Sequence, residues 1–396
     1  MEFSKICSVL SGYFGLEQIE LAEDIASETF LAALETWPYS GIPENPTAWL
    51  YAVAKNKTRN YLKRHAVFSV KIKPALQAID TKLSEPDLSE ENISDSQLKM
   101  LFAICDPTIP PESQIGLALR ILCGLGIEEI ATAFLESGDT INKRLYRAKQ
   151  KLRSISFDAV DTLPAGKHAE RLSNVLTTLY LLFNEGYYSE TKVELIRDDL
   201  CNDAMHLIQI LISNPGTSKP EVHALYALMC FHASRLKARK GEQGEIILYD
   251  DQDVALWNQD LISKGAYHLH LAAVGDTLSH YHLEAAIAYW HTVKTDKKEK
   301  WDNILKLYDQ LLHIRYSPIA ALNRIYALSK VKGSEYAIYK AEELELSHQP
   351  YYFLLLSKLY TELDNEKAFH YLEKALGVAR NQAEKQQIRE EIDKWK

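Results

Sequence analysis

The segment LGIEEIATAFLESGDTINKRLYRAKQKLR, residues 125–153, reads as helix, tight turn, helix. Ile127, Ile130, Ala131 and Phe134 recur at helical spacing, and Glu136-Ser137-Gly138-Asp139 then breaks the pattern. Gly138 is expected to supply the turn's unusual backbone angles, with Asp139 or Thr140 capping the next helix. That second helix carries Lys143, Arg144, Arg147, Lys149, Lys151 and Arg153 and, past Asp139, no acidic residue. Ile141, Leu145, Ala148 and Leu152 form a narrow stripe that faces inward, which leaves the cations on the outer faces. Two short helices, a glycine-containing turn and a basic second helix make the pattern of a DNA-binding helix-turn-helix. A solvated basic helix in an ordinary bundle has the same local pattern.

The composition bounds what surrounds this segment. A chain of 396 residues, rich in Leu and Ala and carrying only 16 Gly and 13 Pro, suits helices throughout and two or three domains. The net charge of −9 argues against indiscriminate coating of nucleic acid, so any DNA contact must use local basic patches. Cys7, Cys105, Cys123, Cys201 and Cys230 are scattered, with no C-x-x-C pair, which fits a reducing compartment and neither a disulfide framework nor a structural zinc site. No apolar run approaches a membrane span, and residues 1–10 show no signal-peptide core. A soluble, cytoplasmic, non-enzymatic chain without cofactor or metal is expected.

Upstream, residues 1–37 read as two helices. The second, from about Ile19, has Ile25, Thr29, Ala32, Ala33 and Thr36, or their neighbours Phe30 and Leu34, as its inward set, and Glu23, Asp24, Glu28 and Glu35 as an acidic outer stripe. Pro38, Gly41, Pro43 and Pro46 predict a loop over 38–46. Thr47 is expected to cap a helix through about His65. Its apolar set is Trp49, Leu50, Val53, Ala54 and Leu62, and Lys55, Lys57, Arg59, Lys63 and Arg64 make it strongly basic. Trp49, Tyr51 and Tyr61 interleave aromatics with these cations, a composition suited to unstacked bases, although Trp49 serves equally as core filler. From 66 to 95 periodicity fades into a polar tether with an acidic second half, and helices resume from Gln97.

Three of these stretches carry a family resemblance. LAEDIASETFL (21–31) resembles the clamp-binding helix of region 2 in bacterial RNA polymerase sigma factors, and NPTAWLYAVAKN (45–56) resembles the helix that follows it. IEEIA (127–131) and TINKRLYRAK (140–149) are similar to the two helices of region 4. Their order, with a linker and no region 3 between them, resembles the extracytoplasmic-function group. LYLLFNEGY (179–187) and DDQD (250–253) followed by Trp257 look like signatures of a subgroup with a C-terminal tetratricopeptide-like domain. The resemblance covers nearly the whole chain and departs from the family in a brief first helix and in Asn142, where many relatives place a basic residue. It implies an all-α fold: sigma region 2 over 1–66, a linker over 67–95, a region 4 helix-turn-helix over 96–157 and a TPR-like helical extension over 160–396.

It also implies roles. Asp24, Glu28 and Phe30 would dock on the clamp coiled coil of core RNA polymerase. Trp49, Tyr51, Lys55, Asn56, Arg59 and Lys63 would hold the opened −10 strand of promoter DNA. Thr140, Asn142, Lys143, Arg144 and Arg147 would enter the −35 major groove, with Lys149 and Lys151 on phosphate. Two other readings stay open: a stand-alone helix-turn-helix regulator with a ligand-sensing extension, and an adaptor in which only the repeats matter.

In the extension, one amphipathic helix follows another. Tyr352, Leu356, Leu359, Ala368, Leu372 and Ala375 follow the alternation of a tetratricopeptide repeat, and 321–341 gives a weaker copy. Stacked helix pairs present a groove, so a protein or small-ligand partner is expected there. His268, His270, His280, His282 and His291 lack the spacing of a helical metal site and read as satisfied or surface histidines. Glu185, Asp251, Asp253 and Arg235 are candidates for a buried polar network or a small ligand pocket, the network being favoured.

Overall fold

The computed structural model describes residues 2–72, 85–134, 136–157, 165–187, 198–241, 247, 249–361, 363–379 and 382–393. The fold is all-α, and among the described residues the regular elements are helices. The chain forms two compact units: the first comprises Met1–Gly186 and Asp199–Thr217, the second Tyr187–Asp198 and Ser218–Lys396.

The first unit is built around α1 (Glu2–Phe14). Ile6, Cys7, Val9 and Leu10 are buried, and so are Ser4, Ser8 and Ser11 on its other sides. Small serines let neighbours approach from several directions, and the helix packs on α2 (Ile19–Ser40), α3 (Pro46–Ile72) and α4 (Glu90–Ile104). Gln97 on α4 donates to Ser4 Oγ at 3.2 Å. Next come α5 (Pro111–Leu117), a π-helical turn (Ala118–Leu122), α6 (Ile127–Ala133) and α7 (Gly138–Leu152). The π turn is closed by a bond from Cys123 N to Ala118 O at 3.0 Å.

The helices α8 (Ala165–Tyr187) and α9 (Asp198–Ser213) lie almost wholly in this unit. Thr178 on α8 donates to Gln114 Oε1 at 3.2 Å and accepts from Cys105 Sγ, and Arg171 pairs with Asp106. The start of the expected extension is thus packed with the helices before it.

Three local expectations are corrected. The predicted loop over 38–46 is shorter, because α2 runs through Ser40 with Pro38 inside its last turns. A proline there removes one backbone bond near an end whose surroundings are exposed, so the helix persists until Gly41, whose φ of 81° halts it. The tether is shorter too: α3 extends to Ile72, and α4 starts at Glu90, where Ser89 Oγ accepts from Asn92 N and Ile93 is buried. Residues 73–84 lie outside the described residues. Finally, the cap of α7 is Ser137, whose hydroxyl accepts from Thr140 N at 3.2 Å. Gly138 is already helical; a Cβ there would sit 2.6 Å from Glu128 Oε1, the end of an exposed side chain that can swing aside, so neither backbone angles nor packing demand glycine.

The second unit starts with α10 (Pro220–Ala233), which is apolar all round and buried from Val222 to Phe231 apart from His223. It packs on α12 (Gln259–Ala272) so closely that a Cβ on Gly265 would meet Phe231 at 2.6 Å, and it also packs on α13 (His280–Trp290). The short α11 (Leu236–Arg239) and two 3-10 turns (Tyr249–Asp251 and Val254–Leu256) lie between α10 and α12. The remaining helices are α14 (Lys298–Ile314), α15 (Pro318–Lys332), α16 (Ser334–Glu342), α17 (Pro350–Tyr360), α18 (Asn365–Val378) and α19 (Gln382–Asp393). From α14 onward each helix packs chiefly on its neighbours in the chain, the nearest-neighbour logic of a helical array. Tyr352, Leu356, Leu359, Ala368, Leu372 and Ala375 are all buried.

Candidate nucleic-acid interface

On α7 the inward stripe is as expected, with Ile141, Leu145, Ala148 and Leu152 buried. Thr140, Asn142, Lys143, Tyr146 and Arg147 are exposed. Thr140, Lys143 and Arg147, at i, i+3 and i+7, share one face. Among the described residues neither Lys143 nor Arg147 has a side-chain hydrogen bond or ion pair, so their charge faces water. An unspent cationic helix face of this kind suits a phosphate backbone or the base edges of a major groove.

The other cations of α7 are engaged. Arg144 Nη2 meets Glu136 Oε1 at 2.6 Å and Glu112 Oε2 at 3.6 Å, with its guanidinium 5.3 Å above Phe134. In this form it braces the turn between α6 and α7. Lys151 Nζ donates to Thr108 O at 2.6 Å. Lys149 pairs with Glu23, and Arg153 pairs with Glu20.

Glu23 therefore corrects the expected acidic outer stripe of α2. Its residue is only 4 % exposed, and its second oxygen lies 3.4 Å from Arg120 Nε, an ion pair without hydrogen-bond geometry. A carboxylate can be buried on an otherwise acidic face because two cations from the π turn and α7 meet it there. The remaining stripe is solvent-facing: Asp24, Glu28 and Glu35 are exposed, and Glu28 pairs with Lys57 of α3 at 2.9 Å. Phe30 is half-buried against Phe3, with ring centroids 6.1 Å apart.

The basic helix α3 divides likewise. Asn56, Arg59, Lys63 and Arg64 are exposed; Lys55 is half-buried. Arg59 donates to Asn56 and lies 3.6 Å from Glu85. Trp49 is half-buried, edge-on to Trp37 with centroids 5.5 Å apart. Tyr51 faces inward: its hydroxyl donates to Glu2 Oε2 at 2.6 Å, and its ring packs beside Val9, Leu88 and Ile93. Burial and the Glu2 carboxylate push its phenol well above the ordinary range, so it remains a bound, neutral hydroxyl. Tyr51 is thus separated from the exposed cations with which it was grouped. Sequence reasoning missed the apolar patch beside them: Leu31 is 53 %, Leu34 73 %, Tyr39 91 % and Ile42 72 % exposed. These four exposed large apolar residues all fall in the second half of α2 or in the loop before α3.

Three of the five histidines are held as hydrogen-bonding groups. His268 lies on α12, where its Nδ1 meets His223 Nδ1 at 2.9 Å; His282 Nε2 faces Ala272 O at 3.1 Å; His280 Nε2 meets Arg315 Nη1 at 2.9 Å. Among the described residues no cluster of three or more potential metal ligands occurs. Asp253 caps Ala255 N at 2.9 Å and Asp251 is exposed, so neither pairs with Arg235. Among the described residues, no helix is long and apolar enough to cross a membrane.

Comparison with known proteins places these residues. Residues 4–67, which hold α1, α2 and most of α3, match the model of sigma-70 region 2. Over 389 residues the chain is 33 % identical to an uncharacterized protein of Rhizobium meliloti (strain 1021), spanning 95 % of this chain and 90 % of that one. The chain belongs to that protein's family. Residues 171–273 match a second model, a family of unknown function (DUF6596). That match runs from α8 through α12 and so draws on both compact units. Two Haemophilus influenzae proteins are more distant relatives of this family member. A probable RNA polymerase sigma factor is 22 % identical over 152 residues, covering 35 % of this chain and 78 % of the relative. An ECF RNA polymerase sigma-E factor is 24 % identical over 156 residues, covering 38 % and 81 %. No solved structure matches the chain.

Proposed function

We propose that this chain is an RNA polymerase sigma factor of the extracytoplasmic-function group, directing core polymerase to promoters, with its TPR-like extension as a built-in regulator. The observation that carries the reading is one compact unit that holds both a sigma-70 region 2 and, on α7, an exposed cationic face at helix-turn-helix spacing. The exposed side of α2, with Asp24, Glu28 and the patch from Leu31 to Ile42, docks on the clamp coiled coil. Trp49, Asn56, Arg59 and Lys63 track the opened −10 strand, where stacking and cation contacts are worth about 1–3 kcal/mol per base. Thr140, Asn142, Lys143 and Arg147 read the −35 groove.

This reading sets a geometric condition. Elements centred near −10 and −35 are separated by roughly 85 Å of B-form duplex at about 3.4 Å per base pair. Here α2 and α7 are in direct contact through Glu23 and Lys149. One molecule cannot read both elements while that contact holds. The form described is therefore closed, and promoter engagement breaks the pairs of Glu23 and Glu20, freeing Lys149 and Arg153 for phosphate.

The test is run-off transcription with purified core polymerase and genomic template fragments, together with capture of core by the tagged full chain. A sigma factor binds core and yields discrete starts. Tight binding of a palindromic operator without core, and no discrete starts, would favour a stand-alone regulator instead.

A further inference from the structure

Around Tyr249 the second unit gathers charge in a way that its own residues do not resolve. Arg235 is only 8 % exposed, its Nε has no hydrogen-bond partner, and its guanidinium lies 5.5 Å from the centre of the Tyr249 ring. Lys300, 2 % exposed, lies 5.4 Å from the centre of the same ring and donates to Tyr249 Oη at 3.1 Å and to Val293 O at 2.8 Å. Trp257 adjoins that ring at a centroid distance of 6.1 Å, and its buried Nε1 donor has no acceptor. His291 completes the surround at 5.3 Å. Burial together with Arg235 and Lys300 depresses its imidazole to about 3, which keeps it neutral.

The nearby acids are spent elsewhere. Asp250 pairs with Lys358 at 3.1 Å, and Asp296 with Lys330 at 3.3 Å while accepting from Trp301 Nε1 at 2.5 Å. Both carboxylates are mostly solvent-exposed, and among the described residues neither Arg235 nor Lys300 has a carboxylate within ion-pair distance. Two buried like charges on one ring repel each other; Asp296 and Asp250 act on Lys300 only from beyond ion-pair distance, and the buried Arg235 Nε is left without an acceptor. An aromatic face offsets part of this and supplies no lone pair for Nε or for the indole donor. Both deficits vanish if a small anion with several acceptor oxygens sits among these groups, since charge-assisted bonds to Arg and Lys are the strong ones.

We propose that Arg235, Lys300, Trp257 and Tyr249 form a binding site for the oxyanion group, phosphate or carboxylate, of a small ligand. The site lies in the unit that follows the promoter-reading helices, and its test uses no polymerase. The full chain is titrated with sodium phosphate and, separately, with sodium acetate, at ionic strength matched with chloride, following tryptophan fluorescence and thermal unfolding. Saturable binding of one of the two oxyanions is expected, with the better probe showing whether the group is phosphate or carboxylate. Because phosphate also strengthens burial generally, the variants decide. Arg235→Met should weaken binding at least tenfold without lowering the anion-free melting temperature, since it removes an unpaired buried charge. Trp257→Phe, which keeps the ring stack and deletes the donor, should weaken binding severalfold, and it carries the test if the arginine variant fails to fold. Neither oxyanion acting beyond chloride would overturn the proposal. So would an Arg235→Met protein destabilised to the same extent with and without oxyanion.

Discussion

The basic residues of α7 and those around Tyr249 solve opposite problems. On α7, Lys143 and Arg147 stand in water at no desolvation cost, and Lys149 and Arg153 are bound to carboxylates of α2. Around Tyr249, Arg235 and Lys300 are buried on an aromatic ring, with no carboxylate at ion-pair distance among the described residues. The first arrangement is a water-facing cationic surface beside a clasp of ion pairs. The second is an interior whose cations lean on an aromatic ring, with the described carboxylates beyond ion-pair distance. The difference teaches that count and sequence position of cations say little; what matters is whether water, a carboxylate or neither answers each charge.

The comparison breaks most visibly at Glu23. Deleting one partner of a buried ion pair leaves the others uncompensated, so Glu23→Ala should cost the first unit about 3–5 kcal/mol. Urea unfolding of the full chain measures this, and a loss below about 1 kcal/mol would mean that the clasp holds nothing. Next in size is the free face of α7. Lys143→Ala combined with Arg147→Ala removes contacts worth about 1–3 kcal/mol each when they read a base. Binding of a −35 duplex should fall about 30-fold or more while capture of core polymerase is unchanged; equal loss of both would separate α7 from DNA reading.

The second unit should also respond to acid. Burial lowers His268 and His280 to about 4 and His291 to about 3, below an unfolded value near 6.5. Their folded pKa values are depressed, so the unfolded chain takes up protons first. Stability is full above about pH 6.5 and falls as pH drops toward 4. Thermal unfolding across that window should show the decline, and His268→Asn should flatten it. A pH-independent melting curve would contradict the sign. The smallest effect belongs to the partly exposed pair of Arg153 and Glu20, where Arg153→Gln should change stability by at most about 1 kcal/mol, read by the same urea titration.

Much of the fold was legible because it is written in local periodicity. The stripe Ile141, Leu145, Ala148 and Leu152 is buried, and so are the six residues of the repeat pattern on α17 and α18. What escaped was set by partners distant in the chain. Glu23 belongs by spacing to an acidic outer face, and only Lys149, 126 positions on, turns it into a buried group. Tyr51 was grouped with the cations that follow it in sequence and yet donates to Glu2, 49 positions earlier. Arg235 was grouped with Glu185, Asp251 and Asp253 as a polar network, whereas Tyr249 and Lys300 gather around it in space. The exposed apolar residues were hidden for another reason: Leu34 was read with the inward stripe, and Tyr39 and Ile42 fell in a segment read as loop, where periodicity says nothing about exposure.

The most direct measurement is strand opening. A labelled promoter fragment is incubated with core polymerase, with this chain, and with both, and unpaired thymines are probed with permanganate. The account predicts reactive thymines around −10 only when both proteins are present, lost when Lys143 and Arg147 are replaced together. Opening by core alone, or a chain that occupies the fragment and leaves it closed in the presence of core, would contradict it.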